Sequence, residues 1–127
     1  MSAIIGIGID IEEICRFESL TEEWGPRFQR KVYTDAEINY CAGKTRPPQH
    51  FAARFAAKEA FSKAIGTGWR NGFRWTDVEI RNDEAGKPSF FLHGALSDEF
   101  GHCSIHLSLS HSKTCVAAMV VIQDQQT

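Results

Sequence analysis

The sequence predicts an α+β fold: an antiparallel sheet with a long helix and shorter helices packed on it. Three stretches predict it. Residues 51–68, FAARFAAKEAFSKAIGTG, are alanine-rich with no Gly or Pro before Gly66, which reads as helix. Residues 3–11, AIIGIGIDI, alternate with a period of two, which reads as strand. Residues 115–122, CVAAMVVI, are apolar on both parities, as suits a central strand.

In the first strand Ile5, Ile7, Ile9 and Ile11 share one parity and are expected to face a core. Gly6, Gly8 and Asp10 share the other, so that face is nearly bare and ends in a carboxylate. Missing side chains let a backbone or a ligand approach closely beside that acid. Asp10 has a second reading as N-cap of a helix, with Glu13 three residues on completing a capping box. A dinucleotide fingerprint is excluded, because Ile11 stands where its third Gly belongs. A short helix is expected from Glu12 to about Leu20, with Ile14 and Phe17 inward and Arg16 outward. Residues 21–33 read ambiguously, as helical turns broken at Gly25-Pro26. Thr34-Asp35-Ala36-Glu37 is a capping box, so a helix should run to about Ala42 and stop at Gly43. Lys44–Pro48 is loop, and Pro47-Pro48 leads into the long helix.

Along that helix Ala53, Ala57, Ala60 and Ala64 share a face, which lets another element come close. Arg54, Lys58 and Ser62 form a second row, and two like charges at that spacing repel unless something answers them. Glu59 and Lys63 stand four apart at the margin of the alanine face, either as an internal pair or as part of a site. The helix ends at Gly66-Thr67-Gly68, where a left-handed glycine could leave backbone N–H groups open to an anion. Arg46, just ahead of the helix, either reaches a ligand or is solvated.

The rest of the chain alternates. Trp75–Arg81 reads as a half-exposed strand with Asp77, Glu79 and Arg81 outward, Asn82–Lys87 as a polar turn, and Pro88–His93 as its partner strand. Ala95–Phe100 reads as a short helix ending at Gly101, Ser104–Ser110 as a strand with His111 at its end, and Asp124–Thr127 as a tail.

At 127 residues the chain is expected to form one domain, 1–127. A hydrophobic content of 43% with 24% charged residues is that of a soluble globular protein. A formal net charge of −2 gives no overall electrostatic case for nucleic acid or an anionic membrane. The cysteines Cys15, Cys41, Cys103 and Cys115 include no Cys-x-x-Cys pair, so free thiols in a reducing cytoplasm are expected. No segment reaches the apolar length of a membrane span, and Asp10 interrupts the apolar N-terminal run before it could act as a signal peptide.

Asp10 and Glu59 together invite a divalent-cation reading, since Mg²⁺ is usually held by one or two carboxylates, waters and a substrate phosphate. Lys63, one turn beyond Glu59, would add positive charge against a phosphate or a developing oxyanion. His111 could donate to a phosphate, stack on a base, or simply bond to backbone. His50, His93, His102 and His106 have no carboxylate or cysteine at ligand spacing and read as structural or solvated. No Gly-x-Ser-x-Gly elbow and no Walker motif is present.

The segments GIGIDIEEICRF (6–17), RFAAKEAFSKAIGTG (54–68) and SLSHSKTCVAAMVV (108–121) resemble those of the holo-acyl-carrier-protein synthases, the short single-domain type of 4′-phosphopantetheinyl transferase. They stand in that family's order and cover about a third of the residues. Cys115 departs from the pattern, where an aromatic residue is expected. The resemblance implies a phosphopantetheinyl-transferase-like fold and a reaction. 4′-Phosphopantetheine passes from coenzyme A to a serine of apo acyl carrier protein, in fatty acid biosynthesis, and adenosine 3′,5′-bisphosphate is released. It further implies Mg²⁺ on Asp10 and Glu59, with Lys63 on the phosphates, and Glu59 or a metal-bound water as base for the serine. Arg46, Arg54, Ser62, Gly66, Thr67 and His111 are implied to line the coenzyme site, and Arg16 to face the acidic helix of the carrier protein. The family's short members form homotrimers with sites between subunits. Two other readings make different predictions: a coenzyme-A-binding module without catalysis, which would release no adenosine bisphosphate, and a structural domain, which would not bind coenzyme A.

Overall fold

The computed structural model describes residues 2–23, 25–66 and 73–125, with the side chains of 20–23 left aside. The order is β1 (Ala3–Glu13), α1 (Ile14–Glu23), α2 (Gly25–Val32), α3 (Asp35–Ala42), α4 (Pro47–Ile65), β2 (Val78–Asn82), β3 (Pro88–Leu92), α5 (Gly94–Phe100), β4 (Ser104–His111) and β5 (Cys115–Asp124). β1, β5 and β4 form an antiparallel sheet in that order, and β2 and β3 form a separate hairpin. β5 is therefore central, and its inward parity, Val116, Ala118, Val120 and Ile122, is buried. No helix among the described residues is long and apolar enough to cross a membrane.

Helix α4 lies directly on β1, because both give up their side chains at the contact. Ala52, Ala56, Ala57 and Ala60 are fully buried. A Cβ on Gly8 would sit 1.8 Å from Ala60 O, and one on Gly6 2.0 Å from Ala64 O. The bare face of β1 thus admits a helix backbone, which brings residues 59–64 down onto Asp10. The isoleucine parity does the opposite of what alternation suggests: Ile5, Ile7, Ile9 and Ile11 are 50 to 65% exposed on the outer face of the sheet. Periodicity reports that two faces differ, and here the helix took the face with no side chains in its way.

Two further expectations change. β1 runs on to Glu13 and α1 starts at Ile14, because Glu12 and Glu13 continue the ladder opposite Val116 and Cys115. Asp10 is therefore a mid-ladder residue and not a helix cap. In β2, Glu79 is buried (4% exposed), held by His93 Nε2 at 2.7 Å and by Arg81 Nη2 at 3.3 Å. His93 accordingly has the carboxylate partner that sequence spacing did not suggest. Between Gly25 and Val32 the ambiguous stretch is helical, with Pro26 in its first turn, where a missing N–H costs nothing.

The Arg54 and Lys58 charges of α4 are answered by one acid. Glu37 of α3, fully buried, accepts from Lys58 Nζ (2.8 Å) and Ile80 N (3.0 Å) and lies 3.8 Å from Arg54 Nε. Lys58 donates also to Trp75 O and Val78 O, so its ammonium is saturated although no water reaches it. The same Glu37 completes the capping box with Thr34.

Candidate functional site

At the carboxyl end of β1 three acids come together, two from the strand and one from α4. Asp10 and Glu12 share the parity of the glycines, and Glu59 projects from α4, whose next residue packs over Gly8. Lys63, one turn further along α4, donates from Nζ to Asp10 Oδ1 (3.1 Å) and Ile9 O (3.0 Å). Among the described residues no N–H reaches the buried Asp10 Oδ2. Its neighbour is another acid, Glu12, whose pKa is pushed up to about 8, first by burial, then by hydrogen bonding to Asp10 and by the charges of Asp10 and Glu59. Arg16 opposes this from outside, with Nη1 on Glu12 Oε1 at 3.0 Å. A buried carboxylate oxygen with no N–H donor, beside an acid that holds its proton near neutrality, is a set of oxygens that a cation could draw together. Oxygen donors of this kind fit a hard divalent ion.

Glu12 joins Asp10 and Glu59 in the structure, although the sequence reading does not single it out. The signal was present: Gly6, Gly8, Asp10 and Glu12 continue a single period of two. Ending the strand at Ile11 assigned Glu12 to a helix and hid it.

Across the sheet a cavity of about 400 Å³ is lined by Arg54, His111, His50, Tyr40, Asn82 and Pro88. Arg54 is nearly buried, with its guanidinium 4.2 Å above the Tyr40 ring and Nη2 donating to Asn82 Oδ1 at 2.7 Å. Its Nε is buried without a hydrogen bond. His50 is held below the usual imidazole range, by burial first and then by Lys44, Arg54 and His111. Positive potential therefore collects in this cavity, which suits an anion. Register places Val116 opposite both Glu12 and His111, so the acids and the cavity flank one strand, about 10 Å apart at the backbone.

The other expected site residues scatter. Arg46 precedes α4 and lines a second cavity with Lys113, Glu13, Glu18 and Cys115. Ser62 is buried and donates to Glu59 O (2.7 Å), so it faces inward. Gly66 takes the left-handed conformation (φ 80°), but its N–H donates to Lys63 O at 3.1 Å and is not open to an anion. Thr67 and Gly68 lie outside the described residues. Arg16 is mostly exposed on α1.

The sequence model of the 4′-phosphopantetheinyl transferase superfamily matches residues 6–120. The holo-[acyl-carrier-protein] synthase of Geobacter sulfurreducens is 47% identical over 123 residues, which span 94% of this chain and 98% of that one. A crystal structure of a holo-(acyl-carrier-protein) synthase from Bacillus anthracis in complex with CoA (3′,5′-ADP) matches with a TM-score of 0.81 at 39% identity, over 96% of this chain and 98% of that one. The synthase of Neisseria meningitidis matches with a TM-score of 0.85 at 37% identity, over 94% and 98%. Fold, sequence and an acid cluster suited to a hard cation agree, and the chain belongs to the 4′-phosphopantetheinyl transferase superfamily, among its holo-[acyl-carrier-protein] synthases.

Proposed function

We propose that the chain transfers 4′-phosphopantetheine from coenzyme A to a serine of apo acyl carrier protein, releasing adenosine 3′,5′-bisphosphate, with Mg²⁺ as cofactor. The observation that carries this reading is the acid group, in which Asp10 Oδ2 lacks an N–H donor and Glu12 is pushed up to about 8 beside it. The names of the relatives supply the acceptor, and the complex solved for the Bacillus anthracis synthase supplies the donor.

Asp10 and Glu59 would hold Mg²⁺, with Glu12 a third acid within reach. When bound, the ion supplies positive charge against the coenzyme A diphosphate. Lys63, half exposed, would turn from Asp10 to a phosphate oxygen and neutralise charge as the leaving group departs. Arg54 and His111 would take the nucleotide end of the coenzyme in their cavity, and Arg46 would reach toward its phosphates from the start of α4. Glu59 or water would accept the proton of the attacking serine. Arg16 would meet a carboxylate of the carrier protein at the mouth of the site.

The protein would act in the cytoplasm as a homotrimer of single domains spanning 1–127. Five exposed isoleucines in β1, with Met119 beside Ile9, form an apolar ridge on the strand that carries Asp10. Burying that ridge against sister subunits would bring the cavity of one chain to the acids of the next.

The test is mass spectrometry of apo acyl carrier protein incubated with the protein, coenzyme A and Mg²⁺. The carrier should gain one phosphopantetheine, chelator should stop the gain, and Glu59→Ala should abolish it while circular dichroism stays that of the wild type. Near-normal modification by Glu59→Ala would refute the assignment.

A further inference from the structure

At the far end of the sheet a second set of donors converges. Cys103 lies in the turn between α5 and β4, fixed by its N–H on Phe100 O (2.9 Å), with His102 just before it. The pairing of Ser104 with Gln123 brings this turn alongside Asp124, the last residue of β5. His102 Nε2 is 3.6 Å from Cys103 Sγ and 3.5 Å from Asp124 Oδ1, and all three donor atoms lie within 4.8 Å of one another. A tetrahedral zinc with ordinary bond lengths would separate its nitrogen and sulfur ligands by about 3.5 Å, and its nitrogen and oxygen ligands by about 3.4 Å. The two separations from His102 Nε2, 3.6 and 3.5 Å, need almost no adjustment, and a cation would draw in the third pair from within 4.8 Å.

We propose that His102, Cys103 and Asp124 form a binding site for a borderline divalent transition metal of the zinc class, three protein ligands leaving one position open. Imidazole and thiolate favour such an ion over Mg²⁺, which sets this site apart from the all-oxygen acid group of β1. Asp124 lies six residues along β5 from Ala118, the partner of Asp10, so the two sites are about 20 Å apart. The metal would therefore hold the α5–β4 turn to the end of the C-terminal strand, where Gln125 Nε2 already donates to Ser104 Oγ. Cys103 must give up its proton to ligate. Burial first and then the Asp124 carboxylate hold its thiol above the usual value, and a cation between them reverses the second effect.

This inference does not rest on the transferase reading, and its test separates the two. The full-length protein, reduced, is titrated with Co²⁺ alone and followed by absorption. One equivalent should give the thiolate-to-cobalt charge-transfer band with the visible intensity of a tetrahedral ion. Cys103→Ser should lose the band, whereas Cys15→Ser, Cys115→Ser and Glu59→Ala should keep it. Asp124→Asn, and His102→Gln at a side chain 62% exposed and so safe for folding, should each weaken binding at least about tenfold. A wild-type protein without the band overturns the proposal. So does a band that survives Cys103→Ser, or affinity unchanged in both the His102 and Asp124 variants.

Discussion

Asp10 has one oxygen on Lys63 Nζ and offers the other only to a second acid. That arrangement makes Glu12 a reporter of metal binding. Its value of about 8 stands above its ordinary 4.5, so between those pH values the folded, metal-free chain keeps a proton that the unfolded chain has released. Stability without metal should then fall as pH rises through that window. Glu12→Gln removes the penalty and keeps a donor toward Asp10. In EDTA the variant should melt with the wild type at pH 4.5 and above it at pH 8, by about 3 °C or more. Added Mg²⁺ should close the gap. A difference that does not widen with pH would show that the carboxyl carries no such proton. Glu59→Ala tests the opposite wall of the same group, through transfer and not stability.

Two contacts between elements decide where those residues go. The first is β1 on α4, where a single methyl group is excluded: a Cβ on Gly8 would meet Ala60 O at 1.8 Å, and both partners are backbone. Gly8→Ala should therefore cost about 1–3 kcal/mol or more by urea unfolding, since neither side can move without the sheet or the helix moving. A loss below about 0.5 kcal/mol would mean that the strand and helix are not in contact. The second is the Glu37 cluster, which ties α3, α4 and β2 together and stands behind Arg54. Glu37→Gln leaves Lys58 buried with no counter-charge, a change that costs about 3–5 kcal/mol when a buried pair is broken. Replacing Lys58 by Met in the same chain should recover much of that loss. A single variant as stable as the wild type would argue that water reaches the ammonium.

On the scale of the whole molecule, one face of the sheet is finished by α4 and the other is left with isoleucines 50 to 65% exposed. A lone subunit would hold that surface against water at about 25 cal/mol for each Å². Under the proposed assembly, Ile7→Glu and Ile9→Glu should shift the protein from trimer to monomer in sedimentation equilibrium. Transfer should fall with the shift although Asp10, Glu59 and Lys63 are untouched. Monomers of undiminished activity would show that each chain holds a complete site.

The sequence determined the local facts by itself. Alanine content and the absence of Gly before Gly66 were sufficient for α4, the Thr34–Glu37 spacing for the start of α3, and two apolar parities for a central β5. The glycine face of β1, with Asp10 at its end, was legible as a place of close approach, because spacing along a chain fixes which residues share a face. What lies against a face is not fixed that way. Tertiary structure alone decided that α4 would take the glycines and leave the isoleucines outside, and that Glu37, 21 residues from Lys58, would answer the row of charges. It also joined Glu12 to Asp10, and Asp124 to His102 and Cys103. The physical reason is common to all of these. Ion pairs and ligand sets depend on separations of a few ångströms through space, and the packing of one backbone on another sets those separations.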